Sequence, residues 1–155
     1  MSGEFRIDNE NYRQPREPTE EDAAYFQNLA ESVLRDLIAT GKKIVFVHDI
    51  PDLDFNIRSC FNLRPYRLVK SNIRAFCGIE RSDLERRTET SKEFLSTTLE
   101  KFPAIEIFDP TSVFCDKTHC RATMDDVPLY WNSDHLTDAG SDLVVKKLLD
   151  EYPSK

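Results

Sequence analysis

The chain lacks a long hydrophobic run, an excess of positive charge and any low-complexity tract. No segment approaches the roughly 20 apolar residues that a membrane-spanning helix requires. The net charge of -7 argues against nucleic acid or an anionic membrane as the main partner, because both are bound through basic surfaces. With only four glycines and no internal repeat, the chain is neither a linker array nor a solenoid. Its 155 residues are enough for one globular domain with its own core.

The N-terminal segment, residues 1–18, differs in composition from the rest of the chain. It is polar, carries Pro15 and Pro18, and lacks the charged start and apolar centre of a signal peptide. This composition predicts a polar tail or linker. We therefore place the folded domain at residues 19–155.

Helical and strand patterns alternate along the domain. Thr19 is followed by apolar residues at helical spacing up to Gly41, which predicts an amphipathic helix. Residues 43–48 form a short β-branched and aromatic run, typical of a strand buried on both faces of a parallel sheet. After a long excursion without periodicity, Ser82 is predicted to cap a second helix, and residues 105–108 a second strand. This order is typical of βαβ units and predicts a parallel α/β sheet.

The last third of the chain is predicted to form a hairpin and a final helix. Val113 to Tyr130 reads as a small hairpin that turns around residues 124–126, and Thr137 as the cap of the helix. Asp109 follows the second strand, and catalytic groups of parallel sheets gather at such carboxyl ends.

Between the hairpin and the last helix lies His135, close in sequence to Asn132 and Asp134. A histidine at a loop-to-helix junction can exchange protons near neutral pH when a neighbouring oxygen fixes its tautomer. This loop is therefore the candidate catalytic site.

The four cysteines, Cys60, Cys77, Cys115 and Cys120, permit three disulfide pairings, among which spacing alone does not choose. The local pairings, Cys60 with Cys77 and Cys115 with Cys120, are the simplest, and would stabilise by about 3 and about 2 kcal/mol. The alternative is four free thiols in a cytosolic protein. A zinc site formed by Cys115, His119 and Cys120 is disfavoured, because no second cysteine knuckle accompanies it. We expect no metal and no cofactor.

The histidine loop also carries a family resemblance. Residues 134–140, DHLTDAG, resemble the final block of SGNH (GDSL-type) esterases, and most of all the SGNH domains of bacterial acyltransferase-3 family enzymes, which O-acetylate surface polysaccharides. The other landmarks follow in the same order: KIVFVHDIP at residues 43–51, Asp54 and Phe55, Cys60, Cys77 to Ile79, Phe108 to Pro110, and Phe114 to Cys120. The resemblance covers roughly residue 19 to the end.

This resemblance implies a three-layer α/β/α parallel sheet and a Ser-His-Asp type mechanism. His135 takes the position of the general base, and Asn132 stands where the family has its orienting aspartate, so Asn132 or Asp134 is expected to orient the ring. No Gly-Asp-Ser block is present, which implies an N-terminally incomplete domain whose serine nucleophile is supplied from outside this chain. The chain by itself is then expected to be inactive.

The same resemblance implies a location and partners. The domain is expected on the periplasmic face, tethered to the inner membrane by a membrane acyltransferase domain, with a polysaccharide hydroxyl as the acceptor. One alternative is a non-catalytic module that binds glycan or protein, in which Tyr130 and Trp131 stack on a sugar rather than pack the hairpin against the last helix. Another is a cytosolic redox or zinc protein.

Overall fold

The computed structural model describes residues 19–61 and 74–153, so the tail predicted for residues 1–18 lies outside the described residues. Helices and short strands alternate along these ranges. Their bounds are α1 Glu20–Ala39, β1 Val45–Val47, a 3₁₀ helix Ile57–Cys60, β2 Gly78–Glu80, α2 Arg81–Leu99, β3 Glu106–Phe108, α3 Thr111–Phe114, β4 His119–Arg121, β5 Thr123–Met124, β6 Val127–Pro128 and α4 Asp138–Glu151.

The described strands form three two-stranded sheets rather than one continuous sheet. β1 and β3 are parallel, with Phe46 opposite Ile107, which confirms the predicted parallel pair. β2 pairs with β4 and β5 with β6, both antiparallel. The fold is therefore mixed α/β with small sheets, and the described residues do not form the three-layer sheet that the sequence implied.

The expectation that the first strand is buried on both faces was wrong. Val47 is 44% exposed, and in β3 Ile107 is 46% exposed. Within the described ranges this sheet has only these two strands. Because Val47 and Ile107 are exposed, part of its surface lacks a covering layer.

Local hydrogen bonds explain where the first helix begins and ends. Thr19 Oγ1 accepts the Asp22 N–H at 3.2 Å, and Asp22 Oδ2 accepts the Thr19 N–H at 2.8 Å, a reciprocal capping box. Gly41, with φ of 70°, follows the helix in the left-handed conformation that glycine adopts without strain. Both predicted boundaries of α1 are confirmed.

The predicted start of the second helix was wrong. Glu80 rather than Ser82 is the N-cap, and it makes no capping hydrogen bond through its side chain. The Arg81 N–H instead donates to the Thr118 carbonyl at 2.8 Å. The helix starts earlier because β2, paired with β4, continues directly into it.

The hairpin prediction is confirmed at its turn but was wrong at its start, because Val113 lies in α3 and β4 pairs with β2. Asp125 and Asp126, with φ of 49° and 64°, join β5 to β6. Two left-handed residues between antiparallel strands are typical of a type I′ turn, and aspartate tolerates this conformation better than most residues.

Two apolar clusters form the interior. The smaller one joins α1 and α2 to the parallel strands and contains Leu34, Leu99, Phe102 and Ile105. The larger one joins β2, α2, α3 and β4 to the connecting segments and contains Leu53, Ile57, Ile79, Leu84, Phe114, Cys120, Ala122, Leu129 and Tyr130. Leu53 and Ile57 belong to the segment without periodicity, so that part of the excursion contributes to the core.

Both local disulfides are present, Cys60–Cys77 and Cys115–Cys120, and no cysteine is free. The alternative of four free thiols was therefore wrong, and Cys115 and Cys120 have no thiolate with which to bind zinc. Among the helices that the structure describes, none is long and apolar enough to cross a membrane.

Candidate functional site

The histidine loop, residues 131–136, is closed at its base by backbone hydrogen bonds. The Trp131 N–H donates to the His135 carbonyl at 2.7 Å, and the Thr137 N–H donates to the Leu129 carbonyl at 3.0 Å. Tyr130 and Leu136 face each other across this antiparallel bridge. The loop is therefore a short hairpin whose second arm leads into α4.

Two contacts attach the loop to the segment that follows β1. The buried Tyr130 hydroxyl donates to the Pro51 carbonyl at 2.7 Å, and the Leu53 N–H donates to the Ser133 carbonyl at 2.7 Å. Burial, together with the nearby carboxylate of Asp52, raises the pKa of Tyr130, so its hydroxyl stays protonated and available as a donor. These contacts place the histidine loop beside the segment leaving the carboxyl end of β1.

The oxygen of Asn132 organises the loop. Its Oδ1 accepts the N–H groups of Asp134 and His135 at 3.0 and 2.8 Å, and lies 3.1 Å from His135 Nδ1. The two backbone donors determine which atom of the amide faces the ring, since only the oxygen accepts hydrogen bonds. Asn132 thus presents an acceptor to the imidazole at the position where the resemblance expects an aspartate.

A second acceptor reaches the same ring nitrogen. Asp134 Oδ1 lies 3.1 Å from His135 Nδ1, and also accepts the Ser133 hydroxyl at 3.2 Å. Because both neighbours of Nδ1 are acceptors, Nδ1 carries the proton in the neutral ring and Nε2 has the free lone pair. This is the tautomer that a general base requires.

The contact between Asp134 and His135 is open to solvent. The His135 side chain is 70% exposed and that of Asp134 is 57% exposed. Exposed ion pairs contribute only about 0–1 kcal/mol, because water screens the attraction and both side chains stay mobile. We therefore attribute the orientation of the ring mainly to Asn132, whose oxygen is held by the backbone.

The first turn of α4 supports the loop from the other side. Thr137 Oγ1 accepts the Gly140 N–H at 3.2 Å, which confirms the predicted cap, and donates to the Pro128 carbonyl at 2.8 Å. Gly140 is buried, and a Cβ there would lie within 3.0 Å of the Leu129 carbonyl oxygen. Sequence reasoning missed this role, although a glycine in a helical turn is itself a signal of close backbone approach.

A cleft of about 110 Å³ with a mostly apolar lining lies at the carboxyl ends of β1 and β3, and His48 and Lys92 are among its polar residues. Nearby Asp109 accepts the Thr111 N–H at 2.8 Å and lies 3.5 Å from Lys92 Nζ. Burial acts to raise the pKa of Asp109, but hydrogen bonds from Thr111 and the nearby Lys92 and His48 outweigh it and lower the pKa. Asp109 is thus engaged in a hydrogen bond to the first residue of α3 and in an ion pair with Lys92.

The other candidate ligands and nucleophiles lie apart from this chemistry. His119 Nδ1 lies 2.9 Å from Thr118 Oγ1, and its ring meets Phe76 edge to face. In residues 19–61 and 74–153, no three His, Cys, Asp or Glu side chains gather into a group that could hold a metal ion. Within the same ranges no serine hydroxyl is hydrogen bonded to the His135 ring; Ser133 bonds Asp134 instead.

Comparisons with known proteins place this chain in a family. A family model described as the SGNH domain fused to AT3 domains matches residues 1–150. The solved periplasmic domain of a lipopolysaccharide acetyltransferase from Salmonella ser. Paratyphi A is similar in structure, with a TM-score of 0.54 and 16% identity over 86% of this chain. This chain spans about half of that domain, 51% of its length, and the likeness shows the fold alone. No curated protein matches the chain. The resemblance found in the sequence is confirmed: the chain belongs to the family of SGNH domains that are fused to AT3 domains.

Proposed function

We propose that the chain is the histidine-bearing part of an acyl transferase or esterase that acts on hydroxyl groups of cell-surface polysaccharide. The observation that carries this proposal is the orientation of His135. Its Nδ1 lies 3.1 Å from the acceptor oxygens of both Asn132 and Asp134, which leaves Nε2 as the proton acceptor.

In this proposal the nucleophile is a serine supplied from outside the chain. His135 Nε2 takes the proton of the serine hydroxyl as it attacks the acyl carbonyl, and returns it to the leaving group. It then takes the proton of the sugar hydroxyl that attacks the acyl-serine, and transfers that proton to the serine as the ester bond to the enzyme breaks. A serine-directed fluorophosphonate should leave the 155-residue chain unlabelled, and labelling of the chain alone would contradict an external nucleophile.

Asn132 and Asp134 share the role that one aspartate has in the family. The Asn132 oxygen holds the tautomer but carries no charge, whereas Asp134 carries the charge that stabilises the imidazolium. Water weakens that second contribution because the Asp134 side chain is 57% exposed. We therefore expect a functional but weakened base.

Exposed apolar surface supports the idea that further strands and helices complete the domain. On α1 these side chains recur every fourth residue, and they are Tyr25, Leu29, Val33 and Leu37, which are 64, 49, 50 and 42% exposed. Val47 and Ile107 add an exposed patch on the parallel pair. Since the chain spans 51% of the solved domain, a counterpart of the remaining portion is the proposed cover, and it would extend β1 and β3 into a three-layer sheet.

The proposed location is the periplasmic face of the inner membrane. The two disulfides fit an oxidising compartment, and the family description, an SGNH domain fused to AT3 domains, supports a fused acyltransferase domain as the proposed membrane tether.

The test is the replacement of His135 with alanine in the full-length protein that carries the acyltransferase domain. Acetylation of the polysaccharide should fall by about 10²–10⁴-fold, the usual contribution of a general base. His119→Ala is the matched control, because His119 lies in β4, where its ring contacts Thr118 and Phe76, and this variant should retain activity. Normal acetylation by His135→Ala would refute the catalytic role and favour the non-catalytic, glycan- or protein-binding alternative.

Asn132→Asp tests the orienting group. A carboxylate three residues before the histidine should raise turnover, because it stabilises the imidazolium that an amide does not. The gain should stay well below the roughly 10⁴-fold loss that the reverse change causes in serine proteases, since Asp134 already contacts the ring. Unchanged or lower turnover at equal expression would contradict the assigned role of position 132.

A further inference from the structure

The only tryptophan of the chain lies exposed in the histidine loop. Trp131 is 68% exposed, whereas the adjacent Tyr130 is 1% exposed and its ring packs in the core against Phe114. The two aromatic residues therefore do not act as a pair. Tyr130 has the packing role that the sequence suggested for both, and Trp131 keeps most of a large apolar ring in water.

The backbone hydrogen bond at the base of the loop brings Trp131 next to His135. Tyr130 and Leu136 face each other across the bridge, and one position further into the loop the Trp131 N–H donates to the His135 carbonyl at 2.7 Å. Whereas Tyr130 is buried, Trp131 is 68% exposed and the His135 side chain is 70% exposed. Both side chains therefore lie at the solvent-exposed surface of the same short loop.

This juxtaposition matches the chemistry of a sugar. A pyranose ring has an apolar C–H face that stacks on an aromatic ring, and hydroxyl groups around its edge. A pyranose stacked on Trp131 would hold an edge hydroxyl near the imidazole of His135. The carboxylates of Asp134 and Asp138 would repel an anionic sugar, and residues 129–140 contain no Lys or Arg to offset that repulsion.

We propose that Trp131 is the platform for the acceptor sugar, on which a neutral pyranose stacks and presents a hydroxyl to His135. The identification of the bound sugar as the acyl acceptor rests on the proposed acyl transfer. Sugar binding itself requires neither the acyl donor nor the serine, so it can be measured on the 155-residue chain.

The first measurement is the fluorescence of the 155-residue chain, in which all tryptophan emission comes from Trp131. Titration with methyl β-D-glucopyranoside, methyl β-D-galactopyranoside or methyl α-L-rhamnopyranoside should shift the emission and reduce quenching by acrylamide. For ligands of this size the Kd should be on the order of 1–10 mM. Glucuronic acid should bind more weakly than the glucoside, and the proposal is overturned if no neutral sugar changes the emission.

Saturation-transfer NMR on variants supplies the second measurement. Trp131→Ala should weaken binding of the preferred glycoside at least tenfold, while Trp131→Phe, which keeps an aromatic face, should retain most of it. Tyr25→Ala is the matched control, because Tyr25 is a similarly exposed aromatic residue, 64% exposed, on α1. Equal binding by Trp131→Ala and the unchanged chain would overturn the proposal.

His135→Ala separates this proposal from the catalytic one. That variant should retain most of the glycoside binding, since the indole remains, while acetylation is lost. If Trp131 binds the sugar but His135→Ala does not affect acetylation, the sugar-binding role of Trp131 is supported and the catalytic role of His135 is refuted. If acetylation depends on His135 but Trp131 does not bind the sugar, the catalytic role of His135 is supported and the sugar-binding role of Trp131 is refuted.

Discussion

Replacing Gly140 with alanine tests whether the first turn of α4 holds the histidine loop closed. A Cβ at this position would lie within 3.0 Å of the Leu129 carbonyl oxygen and 3.2 Å from Leu136 Cδ2. The backbone carbonyl is part of the loop's base and has no side-chain freedom with which to move aside. The helix must therefore shift away from Leu129.

The expected effect follows from the contacts that this shift weakens. Overpacking of a well-packed site typically destabilises by about 1–3 kcal/mol. The hydrogen bonds from Thr137 to Leu129 and Pro128, at 3.0 and 2.8 Å, contribute about 1 kcal/mol each. Alanine in place of glycine recovers up to about 1 kcal/mol of helix propensity. We expect the free energy of unfolding to fall by about 2–4 kcal/mol, and the Tm by roughly 4–16 °C.

Urea unfolding followed by circular dichroism and by Trp131 fluorescence measures this effect. Gly41→Ala is the matched control, because Gly41 has φ of 70° but nothing lies within 4 Å of the position that a Cβ would take there. Its left-handed strain, partly offset by a less flexible unfolded chain, should destabilise by about 1 kcal/mol. If Gly140→Ala is as stable as the unchanged chain, or loses no more than Gly41→Ala, the reasoning from close backbone approach is wrong.

Three further predictions concern the supports of the site. Tyr130→Phe leaves the Pro51 carbonyl without its donor and should lower the free energy of unfolding by about 1–3 kcal/mol in urea titrations; no change would mean that water replaces the hydroxyl. Replacing Cys60 and Cys77 with serine should destabilise by about 3 kcal/mol, and replacing Cys115 and Cys120 by about 2 kcal/mol, so the reverse ranking would contradict the loop-closure argument. Hydrogen bonds from the backbone N–H groups of Thr118 and His119 lower the pKa of Asp116 to about 2, below its unfolded value. Its stabilisation is therefore present above about pH 4 and lost as the pH falls towards 2, and Asp116→Asn should flatten the pH dependence of the urea midpoint in that window.

Sequence reasoning succeeded where the determining contacts are local. The caps at Thr19 and Thr137 depend on residues three positions away, and the turn at Asp125 and Asp126 depends on two adjacent backbone conformations. It failed at Ser82, because the start of α2 depends on the pairing of β2 with β4 and on a carbonyl 37 positions further along the chain, at Thr118.

The site divides in the same way. By itself, the sequence determined the family motif and brought His135, Asn132 and Asp134 into one loop, since these residues are neighbours along the chain. Only the tertiary structure decided that Tyr130 lies inside and Trp131 outside, because the Tyr130 hydroxyl is bound by a carbonyl 79 positions away. It also selected the two local disulfides from the three possible pairings, since pairing requires proximity in space as well as in sequence.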